Sequence, residues 1–209
     1  VELYGDTHNG TTLTQLHSGK AVNAVPDTAY ALLDCTENED HQLARLADAK
    51  PGSFEFYYTI DGMMVLSRGT AAHACEPQKG INAALNLIDL LSSNFTLASL
   101  GNICSFIDSC IGMDAYGVKL GIKTRDSQSG PLTVNVGTVH IDDGYATCTL
   151  DIRYPVSCNG NEILERIKKD AKNEGLHVKV LEHIKPHIVD KDADIIKLLS
   201  ASYKEIMGD

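Results

Sequence analysis

Asp61-Gly62 stands between two apolar and aromatic runs, Phe54 to Ile60 and Met63 to Ser67. A two-residue turn of that composition joins strands only antiparallel, so the chain is committed early to a hairpin. A second hairpin is expected from Leu132 to Ile141 and Tyr145 to Tyr154, meeting at Asp142-Asp143-Gly144. Leu13 to Leu16, turning at Ser18-Gly19-Lys20, and Thr28 to Leu33 read as two further strands. Leu176, Val178 and Val180 alternate as a late one.

Elsewhere the apolar period lengthens from two to three or four. Leu43, Leu46 and Ala47 mark a helix over 39–49, stopped by Pro51-Gly52, and Ile81, Leu85, Ile88 and Leu91 mark one over 80–91. Residues 97–111 form a mostly apolar helix, 161–172 another that ends at Gly175, and 193–207 a last one, while 123–130 is a loop. Strand pairs interleaved with helices predict an α+β protein, a two-lobed ferredoxin-like sandwich whose antiparallel sheet carries helices on one face. Leu13-Thr14 to Asp34 echoes Leu132-Thr133 to Asp151: strand, glycine turn, second strand ending in Leu-Asp. The echo is either coincidence between ordinary hairpins or the mark of two related lobes, drawn at 1–68 and 69–192.

Charge narrows the function. Eighteen basic against twenty-eight acidic residues leave a net charge of −10, which argues against a nucleic-acid partner. No apolar run nears the roughly 20 residues that span a bilayer, and no leader opens the chain, so a cytoplasmic protein without membrane contact is expected. Six cysteines, at 35, 75, 104, 110, 148 and 158, form no Cys-x-x-Cys pair and read as buried small hydrophobes in a reducing compartment. The sequons at Asn9 and Asn94 are taken as chance.

Gly-x-Ser-x-Gly, Gly-x-Gly-x-x-Gly, phosphate-loop and His-Glu-x-x-His motifs are all missing. His183 and His187 have the spacing of a metal pair, but Pro186 between them forbids a regular helix. The informative stretch is Gly69-Thr70-Ala71-Ala72-His73-Ala74-Cys75-Glu76-Pro77, leading to a glycine-opened helix at Gly80. Small neighbours let another molecule approach the imidazole, and a helix N-terminus nearby favours an anion. The local pattern alone leaves His73 open between a functional and a structural role.

That stretch resembles the lid-domain signature of the zinc metallopeptidases that include carboxypeptidase G, acetylornithine deacetylase, succinyl-diaminopimelate desuccinylase and the dipeptidases. Ala21-Val22-Asn23-Ala24-Val25-Pro26-Asp27 resembles the Asn-hydrophobic-hydrophobic-Pro segment of the same family. The stretches 114–122 and 130–137, Asp151-Ile152-Arg153-Tyr154-Pro155 and Pro186-His187-Ile188-Val189-Asp190 resemble dipeptidase V, of the carnosinase-like type. The resemblance spans nearly the whole chain.

It implies a lid over residues 1–192, with 193–209 as the helix returning to a catalytic domain of the same polypeptide. That domain would hold two zinc ions and a glutamate base, whose motifs are missing here. The fragment itself is therefore expected to bind no metal and to be inactive. By the same resemblance, His73 polarises the scissile carbonyl of a dipeptide. Arg153 holds the substrate carboxylate, and Asn23, with Asn135 more weakly, binds substrate. Asn23 and His73 in one chain imply a monomeric parent. Cys75 departs from the small serine or glycine common at its place. The alternatives are the lid of an N-acyl amino acid deacylase and a non-catalytic ferredoxin-like binding or dimerisation module.

Overall fold

The computed structural model describes residues 1–5, 10–142, 144–190 and 192–208. Its strands are β1 (Glu2–Gly5), β2 (Leu13–Ser18), β3 (Ala24–Val25), β4 (Thr28–Leu33), β5 (Phe54–Thr59), β6 (Gly62–Arg68), β7 (Ala72–His73), β8 (Arg125–Asp126), β9 (Gly130–Pro131), β10 (Thr133–Asp142), β11 (Tyr145–Arg153) and β12 (His177–Lys179). The helices are α1 (Glu37–Ala47), α2 (Ala83–Ser92), α3 (Leu97–Leu100), α4 (Asn102–Phe106), α5 (Gly160–Asn173) and α6 (Asp194–Met207). Asn9, Asp143 and Asp209 lie outside the described residues. At the second sequon, the Asn94 side-chain amide donates to the Glu39 carbonyl at 3.1 Å.

One antiparallel sheet runs β12-β1-β11-β10-β2-β4-β6-β5. The α+β class expected from the hairpins holds. The same figure occurs twice within the sheet. Taken in chain order, β1, α4, β10, β11, α5 and β12 place their strands 4-1-3-2, as two interlocked split β-α-β units. Taken as β4, α1, β5, β6, α2 and then back to β2, the other four strands also read 4-1-3-2. The second unit is thus a circular permutation of the first, inserted between β1 and α4. We call them the inserted half and the host half.

The sequence echo matched the wrong pieces. It aligned β2–β4, places 4 and 1 of one half, with β10–β11, places 2 and 3 of the other. The true counterpart of β10–β11 is β5–β6. A division after residue 68 would also part β1 from its partners, since Glu2 lies opposite both Thr149 and Lys179. Four residues are too few to show a period, so β1 escaped notice, yet its Leu3 is fully buried.

Leu16, Ala31, Val65, Val139, Ile141 and Leu150 point to one side of the sheet, where they share a single core with Leu87, Leu91, Ile103 and Ile107. Each leucine, isoleucine or valine among them contributes about 1.5–3 kcal/mol by leaving water. Local chemistry sets the helix ends. Thr36 and Glu39 form a capping box at α1. The helix expected from Gly80 starts instead at Ala83, because Gly80 is extended and the Asn82 side chain accepts from the N–H groups of Ala84 and Leu85. The single helix expected over 97–111 is broken by Gly101, whose φ of 90° only glycine adopts readily, and finishes in a wide turn over Ile107–Ile111.

Candidate functional site

On the face away from the helices, a small two-stranded ribbon crosses β10. β3 pairs with β7 through Ala24↔His73 and Val25↔Ala72, and the Ala74 N–H donates to the Asn23 carbonyl at 3.0 Å. Three features of β10 seat the ribbon. The Asn135 amide donates to the carbonyls of Ala24 (2.8 Å) and Val22 (3.4 Å). The Thr133 hydroxyl donates to the Ala74 carbonyl at 3.4 Å. Gly137 allows contact that no side chain would, since a Cβ there would stand 2.3 Å from the Val22 oxygen. The ribbon brings Asn23 and His73, fifty positions apart, onto neighbouring segments, Asn23 opposite Ala74 and His73 opposite Ala24, and both are exposed. Arg153 ends β11 directly opposite Thr133, so it borders the same patch.

The main chain selects one tautomer of the neutral His73 ring. The Cys75 N–H donates to Nδ1 at 3.2 Å, so in the neutral imidazole the hydrogen resides on Nε2. His73 therefore presents a donor. The helix N-terminus expected beside it is already satisfied by Asn82, which leaves the imidazole as the polar group available to an oxygen.

Arg153 grips Asp151 sideways, Nε to Oδ1 at 3.2 Å and Nη2 to Oδ2 at 3.3 Å. Asp151 is its only hydrogen-bonding partner among the described residues. The end-on edge of the guanidinium, formed by Nη1 and the outer hydrogen of Nη2, keeps the geometry that matches a carboxylate.

Asn135, expected to touch substrate, lies beneath the ribbon. It is buried, and its amide nitrogen is committed to the ribbon backbone, while its Oδ1 is buried without a partner. Sequence reasoning also missed a cleft of about 670 Å³ beside Arg153, within the size range of small-molecule sites. Val22, Arg153, Tyr154, Gly160 and His183 line it, with His183 Nε2 and the Tyr154 hydroxyl 2.7 Å apart.

The cysteines are all free. Burial pushes the Cys148 thiol up to about 12 and that of the equally buried Cys104 further still, so neither is a nucleophile. Cys35, Cys110 and Cys158 are only partly buried and Cys75 is exposed, against the expectation that all six are buried.

Among the described residues, one group has the makings of a metal site: His17, His140 and Asp142, with ligand atoms all within 4.8 Å of one another. It sits on β2 and β10, not at the ribbon. Two imidazoles and one carboxylate do not make up the donor set of two zinc ions with a glutamate base. His17 lies more than a hundred positions from His140 and Asp142, and only the β2–β10 pairing brings the three together.

No family model matches the chain. It is 27% identical over 201 residues to a provisionally named dipeptidase of Staphylococcus epidermidis, covering 94% of this chain and 43% of that protein. It is 29% identical over 204 residues to another from Bacillus subtilis, covering 94% and 42%. Among solved structures, the aminoacylhistidine dipeptidase of Vibrio alginolyticus aligns with a TM-score of 0.48 at 15% identity, covering all of this chain and 44% of that one. The chain thus spans less than half the length of the relatives it matches. The resemblance to dipeptidases read from the sequence stands, and it runs through nearly the whole chain.

Proposed function

We propose that this chain is the lid of a zinc-dependent dipeptidase, closing over an unblocked dipeptide held by a catalytic part outside these residues. One observation carries the reading: the Cys75 N–H occupies His73 Nδ1 and so directs an Nε2–H donor outward from an exposed ribbon. A neutral donor aimed at a carbonyl oxygen stabilises the charge that gathers there as the amide carbon becomes tetrahedral. Asn23, locked to the same ribbon, offers a second amide to that oxygen or to the substrate backbone. The end-on edge of Arg153 receives the free carboxylate of the dipeptide, and Asp151 prevents the guanidinium from swinging away.

In the parent protein the metals, when bound, would supply the activated water. The residues of this chain bind, orient and exclude solvent as the lid closes. Because β3 and β7 belong to one chain, one subunit supplies both Asn23 and His73, which favours a monomeric parent. Free thiols suit a cytoplasmic setting, and no helix among the described residues is long and apolar enough to cross a membrane.

The test is His73→Ala in the full-length parent. Turnover is expected to fall about 10²–10³-fold, as for loss of one oxyanion donor. Unchanged turnover removes His73 from the chemistry. Equal hydrolysis of an N-acylated and a free dipeptide would favour the deacylase instead.

A further inference from the structure

We propose that His17, His140 and Asp142 form a mononuclear site for a divalent first-row cation of the zinc type, placed on the seam between the two halves of the sheet. This inference is independent of the dipeptidase reading. His140 and Asp142 are two apart on β10, so both project from the face opposite the helices, and His17 lies directly across from His140 on β2. One strand giving i and i+2, with a neighbour giving the third group, brings three ligand atoms together above a pleated surface. The Asp142 carboxylate stands between the rings, Oδ1 at 2.9 Å from His17 Nε2 and Oδ2 at 2.8 Å from His140 Nε2.

The rings are themselves held in place. Tyr30 stacks on His17 with centroids 5.0 Å apart and planes 11° from parallel, and Tyr145 meets His140 edge-on at 5.8 Å. No lysine or arginine pairs with Asp142 among the described residues, so an ion there would meet a carboxylate without a cationic partner. Two imidazoles and one carboxylate select zinc-type ions over calcium or magnesium and leave a position for water.

Binding needs modest rearrangement. Each imidazole shifts its hydrogen from Nε2 to Nδ1, or releases a proton if it was charged, and Asp142 turns one oxygen onto the ion. The location gives the site a purpose. β2 and β10 are the strands that join the halves, and their register runs only through Val139↔Ser18, His140↔His17 and Ile141↔Leu16. An ion ligated from both strands would brace that junction.

The experiment uses the 209-residue chain stripped with a chelator, then titrated with Co²⁺ followed by visible absorption and with Zn²⁺ by calorimetry. One equivalent is expected to bind, with the visible bands of four-coordinate Co²⁺ and a raised Tm. His140→Ala and His17→Ala should each weaken binding by at least about 10-fold, whereas His183→Ala should not alter it. Because both ligand histidines lie on the solvent side of the sheet, the metal-free variants should melt with the unliganded chain. The proposal is overturned by no stoichiometric binding, by binding that survives both substitutions, or by near-ultraviolet thiolate charge transfer, which would place the ion on cysteine.

Discussion

The host half and the inserted half share a strand order and a helical side, and differ on the opposite face. In the inserted half that face carries Tyr30 against Leu66 and Leu32 against Met64. In the host half that face of β10 and β11 carries Asn135 against Asp151 and Thr138 against Thr149, and the β3–β7 ribbon lies across them. The ribbon itself is made from the connections of the inserted half, one between β2 and β4 and one following β6. One backbone plan therefore tolerates either surface, and the site arises where loops of one half are seated on polar strands of the other. Topology supplies the platform, and a few hydrogen bonds across the seam supply the specificity.

The largest expected effect tests how separate the halves are. Leu87 on α2 and Ile103 on α4 are both essentially unexposed within a single continuous core. Either substitution to alanine should cost about 2–5 kcal/mol, read from urea unfolding followed by circular dichroism and fluorescence. Both should shift one shared transition. Two separate transitions would make the halves independent domains.

Next comes the seat of the ribbon. Gly137→Ala forces a Cβ onto the Val22 carbonyl and should cost about 1–3 kcal/mol. Tyr57→Thr, on the unroofed strand β5, should change stability by less than about 1 kcal/mol. Equal losses would mean that the ribbon is not selectively seated.

A finer contrast uses two arginines at the same place in each half. Arg153 ends β11 and Arg68 ends β6, and each pairs with a carboxylate, Asp151 and Glu55 respectively. In the full-length parent, Arg153→Lys should raise KM for substrates with a free carboxylate and leave amidated ones unaffected, while Arg68→Lys should alter neither. Equal effects on both substrates would make Arg153 a structural ion pair.

The smallest effect is in acid. Hydrogen bonds from the Ser129 N–H and hydroxyl, followed by those from Ser157, hold the Asp126 carboxyl well below its usual range. The Thr36 hydroxyl and N–H lower that of Glu39 in the other half. A carboxylate depressed on folding stabilises the fold above its unfolded pKa and loses that contribution as pH falls through the folded value. Asp126→Asn should therefore lower stability at neutral pH and flatten its decline below about pH 4. An unaltered acid profile would discount these bonds.

Much of this was legible from local chemistry. Asp61-Gly62 fixed a hairpin, the strand read over Thr28 to Leu33 coincides with β4, and Asn23, His73 and Arg153 were picked out by resemblance alone. What escaped depends on distant partners. β1 is too short to show a pattern, and its place beside β11 comes from pairing across most of the chain. The hold of Asn135 on the ribbon stayed hidden because an amide on a strand reads the same whether it faces substrate or a neighbouring carbonyl. His17 and His140 are unremarkable until two strands adjoin. Gly80 looked like the start of a helix because its neighbours have the right period, but the capping side chain at Asn82 decides the first turn.

The hydrogen that sets the His73 tautomer comes from a peptide group and not from a side chain. Position 75 is therefore free to drift: cysteine, serine or glycine there keeps the imidazole facing outward in the same electronic form. Proline alone, having no such hydrogen to give, would silence the histidine while leaving it in place.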